Sequence, residues 1–127
     1  MLKVLIVDDQ KGIQQMLQAF FEIEGYETVT ANNGSEAVEW VKKGNIDLVI
    51  MDVKMPIMGG IEALKDIRKI NPQLPVIMMT AYAEFNQKST AQKLGIIDWL
   101  YKPLDIELLK EIVRNIFHEK EKNIGGI

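Results

Sequence analysis

Four short apolar runs punctuate the chain: Val4–Val7, Leu48–Met51, Val76–Met79 and Ile96–Tyr101, the last interrupted by Asp98. They are continuous rather than alternating, which predicts strands covered on both faces. Tyr26–Ala31 alternates more and carries two threonines, the pattern of an edge strand. Between these runs the period changes. Ile13, Met16, Leu17, Phe20 and Phe21 recur at i, i+3, i+4, i+7 and i+8, predicting a helix with one buried apolar face, and Gly25 stands where it should stop. A second helix is predicted over Ser35–Lys43, with Asn33 as N-cap and Glu36 as its partner three residues on. Ile61, Leu64 and Ile67 mark a third, ended by the Asn71-Pro72 pair. Leu108, Leu109, Ile112, Val113, Ile116 and Phe117 mark the last, capped by Asp105. The fourth, Glu84–Leu94, offers Phe85, Ala91 and Leu94 amid polar residues, so it is expected to be weakly anchored and able to shift.

Strand and helix alternate five times, giving a (βα)5 doubly wound α/β sandwich around a five-stranded parallel sheet. Right-handed crossovers favour the strand order 2-1-3-4-5, whose switch point lies between strands 1 and 3. A binding crevice is expected beyond the carboxyl ends of those two strands.

Composition narrows the function. The 127 residues suit one domain, assigned to residues 1–119, with 120–127 expected to be a frayed tail and no effector domain expected. A net charge of −3 argues against a bulk electrostatic grip on nucleic acid. Without cysteine there is no disulfide framework or thiolate metal site, and one histidine makes a zinc enzyme a poor reading. No apolar run approaches the roughly 20 residues of a membrane span, and the opening MLKVLIVDD reads as a strand rather than a signal peptide. The expectation is a cytoplasmic domain that engages neither membrane nor nucleic acid.

The candidate chemistry lies at the strand ends. Strand 1 ends in Asp8-Asp9, strand 3 in Asp52, strand 4 in Thr80 and strand 5 in Lys102-Pro103. Any one of these alone is an ordinary turn or cap residue. Together they place three carboxylates at one edge, where mutual repulsion is about 4 kcal/mol per pair at 4 Å in an intermediate dielectric. Such a cluster calls for a cation, and hard oxygen ligands suit Mg²⁺, with Mn²⁺ as a substitute. A divalent ion beside a carboxylate, a hydroxyl and an ammonium is equipment for phosphoryl transfer. Asp52, alone on its strand, is the best nucleophile; Thr80 can donate to the transferred group and Lys102 can neutralise its oxygens. A cis Lys102-Pro103 bond would aim the lysine into the site.

These residues resemble a known family. LIVDDQ, LVIMDVKMPIMGGIEAL, VIMMTAYAE and YKPLD are similar to the receiver domain of two-component response regulators, which has a flavodoxin-like fold. The likeness runs from about Lys3 to Phe117. A narrower likeness, carried by VDDQxGI, EGYET, MTAY and KPxDI, is to sporulation phosphorelay carriers. The resemblance implies that Asp52 is the phosphoacceptor, with Thr80 the switch hydroxyl and Lys102 the phosphate-binding lysine. It implies that Asp9, Asp52 and the main-chain carbonyl of Val53 bind Mg²⁺ directly, and Asp8 through water. Ala81 is small, as the family requires for access to the phosphoryl group. Lys54 and Tyr82 border the path of attacking water, so Lys54 is expected to pair with the phosphoryl group and Tyr82 to shield it. Trp99 occupies the aromatic switch position, where its bulk would need a larger pocket. Gly59-Gly60 replaces the usual Asp-Gly, so that loop is expected to be looser.

By the same resemblance the donor is a sensor histidine kinase and the acceptor a histidine phosphotransfer protein, docked on Gln10, Gly12, Ile13, Met16, Pro103 and Leu104. An aspartyl-phosphate phosphatase is a further candidate partner. Ile13 and Met16 are also expected to belong partly to the core stripe. Trp40 reads as packing, His118 as a complement to a helix dipole, and Met51, Met78 and Met79 as core filler. The chain is thus read as a phosphoacceptor rather than an enzyme in the ordinary sense. Two other outputs stay open: a chemotaxis-like domain that docks to a target, and an aspartyl-phosphate phosphatase of the haloacid dehalogenase type. The latter needs an acid two residues after the nucleophile, where Lys54 stands. A flavodoxin-like FMN module would need a Ser/Thr/Gly-rich phosphate loop where DDQKGI stands.

Overall fold

The computed structural model describes the backbone of residues 1–82 and 85–125 and the side chains of residues 1–82 and 87–118. The elements in order are β1 (Lys3–Val7), α1 (Lys11–Ile23), β2 (Glu27–Ala31), α2 (Gly34–Lys43), β3 (Leu48–Asp52), α3 (Gly60–Ile70), β4 (Val76–Thr80), α4 (Phe85–Lys93), β5 (Asp98–Tyr101) and α5 (Ile106–Gly125). The strands form one parallel sheet in the order β2-β1-β3-β4-β5. This is the α/β architecture the apolar runs predict.

Why those runs are unbroken is visible in the core. Successive residues of a strand point to opposite faces. Leu5, Val7, Val49, Met51, Val76 and Met78 pack under α2 and α3, with Ala37, Val41, Leu64 and Ile67. Their neighbours Val4, Ile6, Leu48, Ile50, Ile77 and Met79 pack under α1 and α5, with Leu17, Phe21, Leu109 and Val113. Both faces are dry, so neither tolerates a polar position.

Helix α1 departs from the predicted stripe. Gln14, Leu17 and Phe21 are its buried residues, while Met16 is 39% exposed. The seam is rotated because Gln14 can be buried at little cost: its carboxamide finds acceptors just past β1, at the end of β2 and in the β2–α2 connection. In α2, Asn33 Oδ1 accepts the Glu36 N–H at 3.0 Å as expected of an N-cap. The Glu36 carboxylate accepts from Asn32 N–H at 3.1 Å, so the cap is braced one residue further out. Strand β5 starts at Asp98, two residues later than predicted, because Gly95 at φ +76° ends the preceding turn and Ile96 and Ile97 span the connection. Helix α5 runs to Gly125. Glu119, Lys120, Glu121 and Lys122 are all good helix formers. Residues 126 and 127 lie outside the described residues, as does Glu84, predicted to open α4.

Among the described side chains of α4, Ala91 is the buried one, and Arg68 of α3 supplies a polar attachment. Its guanidinium donates to the carbonyls of Leu94 at 2.6 Å, Leu74 at 2.8 Å, Gly95 at 3.2 Å and Asn71 at 3.3 Å. Arg68→Ala is expected to cost about 1.5–3 kcal/mol, the range for hydrogen bonds from a charged donor. Amide exchange along α4 should accelerate at least about tenfold, since 1.4 kcal/mol is that factor in an opening equilibrium. Unchanged exchange in α4 would show that the clasp does not hold it.

Candidate functional site

The register brings the strand ends level: Val7 lies beside Met51, Asp52 beside Met79 and Thr80 beside Tyr101. Asp8, Asp52 and Thr80 therefore emerge together, and all three are buried. Lys102 follows β5, its amide donating to the Thr80 carbonyl at 2.8 Å, and the Lys102-Pro103 peptide is cis. The Lys102 ammonium lies 2.8 Å from Asp8 Oδ2 and 3.3 Å from Asp52 Oδ2. Asp8 Oδ1 accepts the Gln10 N–H and Asp52 Oδ1 the Val53 N–H, each at 2.9 Å.

The electrostatics remain unbalanced. Burial raises the Asp52 pKa above its ordinary 3.8, and the neighbouring Asp8 charge raises it further, against the opposing pull of Lys102 and the Val53 N–H. For Lys102, burial acts to lower the pKa, but the hydrogen bond to Asp8 and the charges of Asp52 and Asp8 outweigh it, so the net shift is upward. One ammonium thus serves a group of three carboxylates.

Carboxylate oxygens of Asp8, Asp9 and Asp52 lie within 4.8 Å of one another, with Asp9 exposed and the other two buried. This all-oxygen donor set, with excess negative charge and one solvent-facing member, fits Mg²⁺ retaining several waters. The Val53 carbonyl, expected among the ligands, accepts the Gly60 N–H at 2.8 Å and keeps a second lone pair.

A pocket of about 200 Å³ opens over Asp52 and Lys102, and Ala81, Lys54 and Tyr82 form part of its wall. Lys54 Nζ sits 4.4 Å from the centroid of the Tyr82 ring, so these two pair with each other across the rim. Thr80 Oγ1 accepts the Tyr82 N–H at 3.0 Å, which leaves its proton to donate. A larger hollow of about 700 Å³ lies at the far edge of the sheet beside Leu74, Pro75, Ile97 and Ile112, away from this chemistry.

Among the docking candidates, Gln10, Gly12, Met16 and Pro103 are exposed, while Ile13 and Leu104 are half-buried against the α1–α5 core layer. Trp99 is buried in the opposite layer with Ala91, and its indole N–H has no acceptor among the described residues. The loop after β3 is not loose, contrary to expectation. Gly60 N–H donates to Val53 O, Gly34 N–H to Met58 O and Met58 N–H to Pro56 O, at 2.7–2.8 Å. Ile57 at its tip is 84% exposed with φ +70°, a strained conformation for a β-branched residue. The sequence reading missed Gln14, Gly34, Gly60 and Arg68. A hint for Gln14 was present in its i, i+3, i+7 spacing with Leu17 and Phe21.

Known proteins share this arrangement. The profile of the response regulator receiver domain matches residues 4–114. Sporulation initiation phosphotransferase F of Bacillus subtilis (strain 168) is 43% identical over 112 residues, covering 88% of this chain and 90% of that protein. Regulatory protein AtoC of Escherichia coli (strain K12) is 42% identical over 112 residues, 88% of this chain and 24% of that protein, so the chain spans about a quarter of AtoC. The CheX–CheY–BeF3–Mg²⁺ complex from Borrelia burgdorferi superposes with a TM-score of 0.85 at 34% identity, covering 91% of this chain and 89% of that one. With three acidic side chains, a hydroxyl and a lysine converging at the strand ends of a 2-1-3-4-5 sheet, the chain belongs to the response regulator receiver domain family of two-component systems.

Proposed function

We propose that the chain is a phosphoryl carrier of a sporulation-type phosphorelay, accepting a phosphoryl group on Asp52 from a sensor histidine kinase and passing it to a histidine phosphotransfer protein. The observation that carries this reading is the buried Asp52 carboxylate at a pocket mouth, 3.3 Å from the Lys102 ammonium and within a cluster of three carboxylates. Its likeness to sporulation initiation phosphotransferase F over 90% of that protein supports the relay. Among the described residues no helix is long and apolar enough to cross a membrane, which is compatible with work in the cytoplasm.

Mg²⁺ held by Asp8, Asp9, Asp52 and the Val53 carbonyl would offset charge on the transferred group. The chain does the rest. The Val53 N–H orients the Asp52 carboxylate for in-line attack. As the P–O bond to Asp52 forms, the P–N bond of the donor phosphohistidine breaks, and the metaphosphate-like group is met by the Lys102 ammonium and the Thr80 hydroxyl. Transfer onward reverses these bonds on the acceptor imidazole. Ala81 leaves room for either imidazole to approach.

Incubation with Mg²⁺ and acetyl phosphate should add one phosphoryl group, and Asp52→Ala should abolish it. No uptake, or uptake indifferent to the substitution, would refute the reading. Onward transfer to a histidine phosphotransfer protein separates a carrier from a domain that docks to a target through its phosphorylated form.

Lys54 and Tyr82 set the lifetime of the phosphoryl group in this reading, the lysine turning to its oxygens while the ring shields it. An aspartyl-phosphate phosphatase would then be the partner that ends the signal. The wild-type label is expected to persist well beyond seconds, and Tyr82→Ala to shorten its half-life by about two- to fivefold, the equivalent of an exposed cation–π contact of about 0.5–1 kcal/mol. Wild-type loss within seconds would contradict this role.

A further inference from the structure

We infer that Gln14 is a positioning residue for the cation site, fixing the Asp8-Asp9 peptide so that Asp9 meets Mg²⁺ already aimed; the inference rests on the phosphoacceptor reading. Gln14 is 4% exposed, a carboxamide on a helix face whose other buried members are Leu17 and Phe21. Its Nε2 donates to the main-chain carbonyl of Asp8, to Asn32 Oδ1 at 2.9 Å and, more weakly, to Ala31 O at 3.4 Å. Helix α1 is thereby tied to the ends of both β1 and β2.

Asp8 is held at each of its polar groups. Its N–H donates to Ala31 O at 3.1 Å, its carbonyl accepts from Gln14, and its two carboxylate oxygens accept from Gln10 N–H and Lys102. The Asp8 carbonyl and the Asp9 nitrogen share one rigid peptide plane, so holding the first fixes the direction in which Asp9 leaves the strand. Asp9 is exposed, and the charges of Asp8 and Asp52 push it outward into water. Gln14 opposes that escape from behind.

The brace is itself anchored. Asn32 Oδ1 also accepts from Lys11 Nζ at 2.8 Å, and the Asn32 N–H donates to Glu36 at 3.1 Å. The network therefore joins α1, β1, β2 and the first turn of α2 beneath the acidic loop. A ligand held in place before the ion arrives loses less freedom on binding, which is how groups behind metal ligands typically contribute 10–100-fold in affinity.

The test is the Mg²⁺ dissociation constant, measured by calorimetry on the full chain, with a thermal melt beside it. Gln14→Met keeps the length and shape of the side chain and removes its donors. It is expected to weaken Mg²⁺ binding at least about tenfold, and its slower phosphoryl uptake from acetyl phosphate at low Mg²⁺ should recover as Mg²⁺ is raised. A folded Gln14→Met chain that binds Mg²⁺ as tightly as wild type would overturn the inference, because a packing role would lower the melting temperature alone. If Gln14→Met does not fold, exposed Asn32→Ala removes one acceptor of the brace; weakened Mg²⁺ binding there supports the role and unchanged binding overturns it. A wild-type chain that binds no Mg²⁺ overturns the inference and the phosphoacceptor reading together, whereas normal wild-type binding with unaffected variants overturns the inference alone.

Discussion

In the absence of Mg²⁺, Asp52→Asn is expected to melt at a higher temperature than the wild-type chain while, on the proposed reading, accepting no phosphoryl group. Both effects have one origin. The Asp52 pKa is raised in the folded state by burial and by Asp8, so the ionised carboxylate is held at a cost. A carboxyl group whose folded pKa exceeds its unfolded value contributes stability below the unfolded value of about 3.8, and that contribution is lost as pH rises through the folded value. At neutral pH the wild-type chain has therefore lost it. An asparagine of nearly the same volume carries no charge to desolvate and does not repel Asp8. Lys102 keeps its 2.8 Å partner in Asp8 and is not stranded. The gain is expected to be about 0.5–2 kcal/mol, the usual yield of a single stabilising substitution. Melts recorded against pH should show the variant's advantage shrinking toward acid, with the variant curve the flatter of the two. Added Mg²⁺ should stabilise wild type more than the variant, since ligand binding shifts folding by mass action. A variant less stable than wild type at neutral pH without Mg²⁺ would show that Asp52 is a stabilising member of the ion pair instead.

Gly60→Ala is expected to have the largest structural effect. A Cβ at Gly60 would lie 2.2 Å from the Asp52 carbonyl oxygen and 2.9 Å from the end of the Met78 side chain. The methionine could yield; the carbonyl belongs to the strand that delivers the phosphoacceptor and cannot move without displacing it. We expect a loss of at least about 3 kcal/mol, the upper end for overpacking in a filled core, and little phosphoryl uptake by whatever remains folded. Gly12→Ala is the control. No atom lies within 4 Å of its added Cβ, and alanine in a helix gains up to about 1 kcal/mol over glycine. Thermal melts of the two variants should move in opposite directions. A Gly60→Ala chain melting within a few degrees of wild type would mean that the β3–α3 loop yields easily.

What the sequence revealed and what it hid follow from the reach of each interaction. The sheet was legible because β1, β3 and β4 are buried on both faces, and a run such as Val76–Met79 has few other uses. The acidic edge was legible because parallel strands end at one side, so Asp8, Asp52, Thr80 and Lys102 converge once the strand order is known. Periodicity failed at Gln14 and Met16 because it ranks side chains by polarity. It cannot register that acceptors at Asp8, Ala31 and Asn32 make a buried carboxamide acceptable. Gly60 hid for a related reason, since its crowding comes from the carbonyl of Asp52 rather than from its own dihedral angles. Arg68 carried no signal in the sequence because its acceptors run from Asn71 to Gly95 and become neighbours only when β4 and α4 have folded back. Trp99 was singled out for its position, but that its buried indole N–H finds no acceptor among the described residues could be learned only in three dimensions.

The ion pair between Lys102 and Asp8 joins residues 94 positions apart. A chain emerging from the ribosome therefore carries Asp8 long before the lysine that pairs with it has been made. Until β5 adds to the sheet, Asp52 has no ammonium to receive the charge of an incoming phosphoryl group. On the carrier reading proposed above, readiness to take a phosphoryl group arrives with β5.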